Sequence, residues 1–382
     1  MSHPTHADVV IVGGGLMGAS TAFFLRQRGV SVILLERGLT GQQASGVNFG
    51  NVRRQGRPMA QLPLSHRAHR VWQRLPELLG EDAEYLQTGH LRCAYDQQHI
   101  EVLEKYASEA RHHGLALDIL GEKTIRQRYP FLGKEVIAGS LAPEDGHANP
   151  RLAAPAFARA AARAGAHIIE NTEVLSIVKD GVDFRASCAG GAEYRAPVLL
   201  VASGAWGDKM AAQFGEHVPM DVRGPQMGVT EPVPYVIGPA IGVAVPSIQT
   251  SLYFRQVKRG NIVFGGCGRG PANPDTRRAY VLPEHTLAQF RQMARLAPVV
   301  SKLNIIRVWS GIEGYMRDDK PVMGPSARVS GLHYAFGFCG HGFQLGPGVG
   351  DVMAELIATG ATSTPIEPYH IGRFSDLAAQ AA

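Results

Sequence analysis

Cysteine is scarce: four residues, Cys93, Cys188, Cys267 and Cys339, lie far apart with no Cys-x-x-Cys pair among them. That spacing argues against a structural zinc site, a disulfide scaffold, or an iron–sulfur cluster held by this chain alone. No metal site is expected. No apolar run approaches the ~20 residues of a spanning helix. The first strand-like segment starts at Asp8, which leaves no room ahead of it for a cleaved signal peptide. Basic residues number 38 against 33 acidic ones, and they are scattered. Nucleic-acid binding would want a stripe of Lys and Arg. A cytoplasmic location is expected, with peripheral contact at the inner face of a membrane left open.

Glycine, by contrast, is abundant, at 45 of 382 residues, against a usual ~7%. The first cluster is informative. Asp8–Val12 is a short β-branched run that reads as a buried parallel strand. Gly13-Gly14-Gly15-Leu16-Met17-Gly18 follows at once, then a helical stretch from Ala19 to Arg28, then a second strand from Val30 to Leu35 closed by Glu36. This is a βαβ unit containing G-x-G-x-x-G. Gly13 makes the tight turn, Gly15 lets the backbone approach a pyrophosphate, and Gly18 lets helix and strand pack closely. Free N–H groups at the helix start then face the phosphates. Glu36 stands about where an acid binds a ribose 2′-hydroxyl, and its charge disfavours a 2′-phosphate.

Further along, Leu39–Arg57 reads as a loop, Ala60–Leu79 as a helix, Gly89–Ala94 as a strand and Gln98–His113 as a helix. Val136–Leu141 is strand-like, and Pro143–His147 is turn chemistry. Asn149 caps an Ala-rich helix through Ala164, with Pro150 at its first position. Strands follow at His167–Glu170, Val174–Lys179, Phe184–Ser187 and Val198–Ala202, the last ending in Ser203-Gly204-Ala205-Trp206. Met220–Thr230, Leu252–Gln256 and Asn261–Gly265 read as antiparallel strands, Pro283–Leu296 as a helix, and Asn304–Ile312 and Leu332–Phe336 as strands. Gly337–Gly350 is glycine-rich, and Asp351–Thr359 reads as a helix. The expected fold is therefore α/β combined with α+β. A Rossmann-type domain (1–58, 145–215 and 318–382) is interrupted by an antiparallel-sheet domain (59–144 and 216–317).

With these residues in view, the chain resembles the D-amino-acid-oxidase/glycine-oxidase/sarcosine-oxidase superfamily of FAD enzymes. The likeness rests on Gly13–Gly18 with Glu36 and Arg37, the Ala44-Ser45 loop, the Val198–Trp206 strand and turn, and the Gly337–Gly350 run. Within it, Phe336–Pro347 and Asn48–Arg57 look like the flavin (β) subunits of D-hydroxyproline, opine and proline dehydrogenase complexes and of hydrogen cyanide synthase.

The resemblance implies that Gly13, Gly15, Leu16, Met17, Gly18, Glu36 and Arg37 hold the ADP half of FAD, with Ala44 and Ser45 beside the pyrophosphate. Val174 should contact adenine through its backbone. Ser203, Gly204, Trp206 and Gly311 should border the cofactor. Gly340, His341, Gly342, Phe343, Gln344 and Leu345 should bring N–H groups to the flavin pyrimidine, the edge that gains charge on reduction. Relatives that attach flavin covalently use a Cys before the last Rossmann segment or a His in the early loop. Trp309–Met316 holds no Cys and Asn48–Pro58 holds no His, and Arg54 lies about where that His would be. FAD is thus expected to be non-covalent, and any FMN would sit, also non-covalently, at a subunit interface. Met316-Arg317-Asp318 departs from the Thr-Pro-Asp of many relatives.

The reaction so implied is oxidation of a C–N bond by hydride transfer from the carbon beside a neutral amine. It needs alignment and a carboxylate clamp more than acid–base help. Arg suits the clamp, since its planar fork holds a carboxylate bidentately. Arg53 and Arg255 are the main candidates, with Arg223 and Arg317 behind them. Tyr253, Glu313 and His341 complete the candidate catalytic set, Glu313 as a partner for a substrate amine or hydroxyl. A solvated arginine, a half-buried strand tyrosine and a surface glutamate are the plain alternatives. Three functions compete. One is the catalytic β subunit of a multi-subunit dehydrogenase of a secondary amino acid (D-hydroxyproline, proline or an opine), with α and γ partners carrying an iron–sulfur cluster. Another is a stand-alone glycine, sarcosine or D-amino-acid oxidase using O₂. The third is a non-catalytic flavoprotein.

Overall fold

A computed structural model of the chain describes residues 4–243 and 248–375. The outermost residues of the expected Rossmann-type domain, 1–3 and 376–382, lie outside these. Two sheets organise the molecule. The first has six strands in the order Val322–Pro325, Leu332–Phe336, Val198–Val201, Val9–Val12, Val32–Leu35, His167–Ile169. All neighbours are parallel except the first pair. Val9–Val12 and Val32–Leu35 are buried at every position, as expected of strands covered on both faces. The second sheet has ten strands drawn from 90–142 and 220–316. It is antiparallel apart from the pairing of Ala240–Val243 with His90–Ala94. This mixture of a parallel and a mainly antiparallel sheet is the fold class read from the sequence.

Local chemistry sets the helix boundaries. Asn149 accepts the Arg151 N–H at 3.1 Å and Pro150 opens the helix Pro150–Arg163, as its cap and first residue predict. The helix expected over Ala60–Leu79 is interrupted instead. One helix runs Leu62–Gln73, Arg74 leaves helical geometry, and a second runs Leu75–Leu79. Pro76 explains the break, because it lacks an N–H and its ring crowds the carbonyl four residues back. The Leu39–Arg57 loop contains a one-turn helix, Ala44–Val47, and a two-residue strand, Asn51–Val52, paired with Gly146–His147. The strand expected over Asn304–Ile312 divides into Ile305–Ser310 and Glu313–Met316.

The largest departure is at the C-terminal glycine run. The last long helix starts at Gly342, not Asp351, and runs to Thr359 with Gly346, Gly348 and Gly350 inside it. Interior glycines cost helix stability, so packing must explain them. A Cβ on Gly346 would lie 2.6 Å from Leu16, one on Gly348 2.7 Å from the Ala68 backbone, and one on Gly350 2.2 Å from Ser20 Oγ. The glycines let this helix lie directly against the first helix, Leu16–Gln27, and against Leu62–Gln73. Gln344 locks the contact: its amide donates to Ser65 O at 2.9 Å, and its side-chain carbonyl accepts from Ser65 Oγ at 2.8 Å. Trp72 Nε1 donates to Gln344 O at 2.8 Å.

Among the described residues, no helix is long and apolar enough to cross a membrane, no cluster of metal-ligating side chains forms, and all four cysteines are free and buried.

A Gly→Ala change in an open helix gains roughly 1 kcal/mol. Gly348→Ala is expected to lose about 1–3 kcal/mol instead, seen as a lower urea midpoint at unchanged slope. A raised midpoint would show that the helices do not touch there.

Candidate functional site

Where the two sheets meet, a cavity of about 390 Å³ runs from the Gly13 turn to the end of the glycine loop at Gly340. Its outer half is built from the βαβ unit. Gly13 has φ +113°, and a Cβ there would strike Ala202 O at 2.5 Å, so only glycine makes this turn. Glu36 is fixed at the end of its strand by two N–H donors, Gly14 at 2.7 Å and Gly38 at 2.8 Å. Its remaining lone pairs can take hydroxyl donors, and its charge repels a phosphate. Ser45 Oγ accepts the Leu16 N–H at 2.8 Å, which leaves its own proton free to donate into the cavity. The Arg37 guanidinium lies over the Trp206 ring at 3.9 Å, and Glu173 approaches it at 3.8 Å.

The inner half collects charge. Arg53 and Arg57 enter from the loop after Val52, which a fully buried carboxylate holds in place. Asp145 accepts the backbone N–H groups of Arg54 and Gln55 at 2.8 and 3.0 Å, and pairs with Arg54 Nε at 3.0 Å. Arg53 Nη1 donates to Gln55 O at 2.5 Å. Arg57 Nη2 donates to His341 O at 3.3 Å, while its Nη1 is buried without a partner. Across from them, Glu313 accepts the Tyr315 hydroxyl at 2.5 Å and the Gly340 N–H at 2.9 Å. Burial raises the Glu313 carboxyl above its ordinary range despite those donors. Burial also pushes the Tyr253 hydroxyl up to about 12, helped by Glu313. His341 is held well below the ordinary imidazole range by burial and then by Arg57, Arg53 and Arg269, so it is neutral at pH 7.

Four buried polar atoms on cavity-lining residues have no partner: Asn51 Oδ1, Arg57 Nη1, Ser203 Oγ and His341 Nδ1. Orphaned polar atoms are rare in native interiors. These four are available to a polar ligand in the cavity.

Most candidate residues from the sequence line this cavity. They include Gly13, Gly15, Leu16, Met17, Glu36, Arg37, Ala44, Ser45, Val174, Ser203, Gly204 and Trp206 on the outer side. Arg53, Tyr253, Glu313 and Gly340 through Gln344 line the inner side. Four do not. Gly18 serves packing: a Cβ would fall 2.0 Å from Gly13 O. Gly311 makes room for Val47, 2.1 Å from where its Cβ would be. Leu345, on the last long helix, is buried in the core. Arg255 corrects a substrate-clamp expectation. Its Nε donates to Phe49 O at 2.7 Å and its Nη1 lies 3.3 Å from His147 Nδ1, so it braces the wall from behind. Arg223 and Arg317 face a separate cleft.

Arg57, Arg269 and Tyr315 were not among the candidates and line the cavity. Tyr315 was legible, because two residues after Glu313 on a strand it shares that residue's face. Arg57 and Arg269 carried no such signal, since their placement depends on a loop and a strand whose course only the fold sets.

The family model of the FAD dependent oxidoreductases called DAO matches residues 8–356. Glycine oxidase of Geobacillus kaustophilus (strain HTA426) is 28% identical over 384 residues, covering 96% of this chain and 98% of that protein. The beta subunit of sarcosine oxidase from Rhizobium meliloti (strain 1021) is 26% identical over 381 residues, covering 97% and 88%. The crystal structure of L-proline dehydrogenase from P. horikoshii superposes with a TM-score of 0.91 at 26% identity, covering 98% and 99%. The match to the family model spans nearly the whole chain, from the first strand through most of the last helix, and so includes both ends of the cavity. The chain belongs to the DAO family of FAD-dependent oxidoreductases.

Proposed function

We propose that this chain is the catalytic flavin subunit of a multi-subunit dehydrogenase that oxidises the C–N bond of a secondary amino acid of the proline, hydroxyproline or opine type. The single observation that carries the amino-acid reading is that one cavity is lined by both a guanidinium, Arg53, and a carboxylate, Glu313, each half-buried. The multi-subunit reading draws on relatives whose names are those of single components of larger enzymes, among them the sarcosine oxidase component and an opine oxidase component of Rhizobium meliloti, and on the likeness to a dehydrogenase. In this reading the partners carry the iron–sulfur cluster, and any FMN lies between subunits. Segments 1–58, 145–215 and 318–382 form the FAD-binding domain, and 59–144 with 216–317 the substrate domain.

The residues present fit FAD, bound non-covalently. Glu36 would take the ribose hydroxyls, Ser45 and the N–H groups after Gly13 the pyrophosphate, and the N–H groups from Gly340 to Gln344 the flavin pyrimidine. When bound, FAD supplies the hydride acceptor. Arg53, with Arg57 behind it, binds the substrate carboxylate. Glu313 takes the proton from the arriving ammonium, so that the nitrogen lone pair is free when the hydride leaves. Burial favours this, because a carboxyl raised above its ordinary range is a stronger base. Tyr253, protonated at neutral pH, orients the substrate by hydrogen bonding. Phe49, packed edge-on against Tyr253 at 4.7 Å, helps keep water out.

Mixing the holoenzyme anaerobically with D-hydroxyproline, proline enantiomers, octopine, nopaline, sarcosine and D-alanine tests the reading. Bleaching by a secondary amino acid, with slow recovery in air and fast recovery with a dye, is expected. Prompt recovery in air with peroxide would favour a stand-alone oxidase. Removal of a buried carboxylate partner costs about 2–5 kcal/mol. Arg53→Ala should therefore weaken substrate binding roughly thirty- to several-thousand-fold with FAD still bound.

Glu313→Gln removes the proton acceptor. The amine must then arrive neutral, and near pH 7 only about 10⁻³ of it is, given an amine pKa near 10. Flavin reduction by the variant should be slower than in the wild type at pH 7 and should rise about tenfold per pH unit as the neutral amine accumulates. The wild type should level off at a lower pH, above the protonation of Glu313. Superimposable pH profiles would remove Glu313 from the mechanism.

A further inference from the structure

The cavity has an anteroom. A second cleft of about 300 Å³ adjoins it, and Gly268, Arg269 and Tyr315 line both. Its other walls carry Asp221, Arg223, Arg317 and Asp319. All four of these, and Arg269, are exposed. Asp221 and Arg223 form a loose pair at 3.6 Å. Three arginines against two aspartates leave the cleft cationic. None of these residues takes part in the hydride-transfer chemistry proposed above.

The partition between the two spaces is layered. The Arg269 guanidinium sits over the face of the Tyr315 ring at 3.7 Å. The Tyr315 hydroxyl donates to Glu313 on the cavity side. From outside to inside the order is cation, aromatic ring, carboxylate. An exposed cation–π contact is weak. A carboxylate offers the same guanidinium two charge-assisted hydrogen bonds, which are stronger. An anion that reaches this cleft therefore competes well with the ring for Arg269.

We propose that the outer cleft is a loading site for carboxylate-bearing substrates. Arg223 and Arg317 draw the anion in. Arg269 leaves the Tyr315 ring to pair with its carboxylate and returns as the substrate passes to Arg53. This rests on the amino-acid reading above and adds a second carboxylate site to it, outside the chemistry. A cleft with charged walls of one net sign raises both local ligand concentration and on-rate.

The test is stopped-flow binding of benzoate, a carboxylate with no amine to oxidise, to the oxidised holoenzyme, followed by the flavin spectrum. In Arg223→Gln/Arg317→Gln the association rate should fall about fivefold at low salt, within the range of electrostatic steering. Because a loading site lies on the path in both directions, the dissociation rate should fall with it, and Kd should stay within twofold. In Arg269→Gln the association rate should fall about tenfold. At 0.5 M salt the wild type and the double variant should converge, as screening removes the attraction. An association rate within twofold of wild type in either variant overturns the proposal. So does weakened binding caused by faster dissociation alone, or failure of benzoate to perturb the wild-type flavin. Reduction of the wild-type flavin by an amino acid is read separately. If benzoate loading behaves as expected and no amino acid reduces the flavin, the amino-acid reading fails while the cleft remains.

Discussion

The close approach of two helices is the constraint on which the site depends. The first helix and the last long helix both begin at the cavity wall, at Leu16 and Gly342. Their spacing therefore sets the distance between the Gly13 turn and the Gly340 loop. Gly346 and Gly350 allow that spacing against Leu16 and Ser20, where any side chain would collide. Gln344, held by Ser65 and covered by Trp72, fixes the rotation of the helix start. Helix propensity is sacrificed along one face so that two chain segments more than 300 residues apart frame one ligand.

The inner end obeys a different economy. Arg57 is buried and Arg53 half-buried, both with few anionic neighbours, and Glu313, half-buried, is an acid raised from its usual range by desolvation. A fold selected for stability alone would not isolate these charges from one another, because desolvating each is costly. Perturbed groups gathered in one cleft mark sites built for chemistry. Asp145 shows how the arrangement is held. Its carboxylate, fully buried, ties down the loop that carries both arginines without itself lining the cavity.

Much of this was legible in the residues. The Val9–Glu36 unit announced its strands, turn and acid because local patterning dictates each part, and the Asn149-Pro150 helix start followed from capping chemistry. The glycine run at 337–350 misled, since glycine signals turns when read locally, whereas here it records contact with a partner helix distant in sequence. Arg255 misled for the opposite reason. It shares the face of Tyr253, but two residues further along the strand its guanidinium meets Phe49 O and His147 instead of the cavity. Arg57, Arg269 and Asp145 were invisible because their roles arise only when the loop, the strand Asn261–Asn273 and the turn come together.

Flavin content tests the central claim most directly. The purified chain, precipitated with acid and centrifuged, should release one FAD per chain into the supernatant and leave a colourless pellet. A yellow pellet would contradict non-covalent binding. A protein that holds no FAD, and takes up none when it is supplied, would contradict the assignment of the cavity itself.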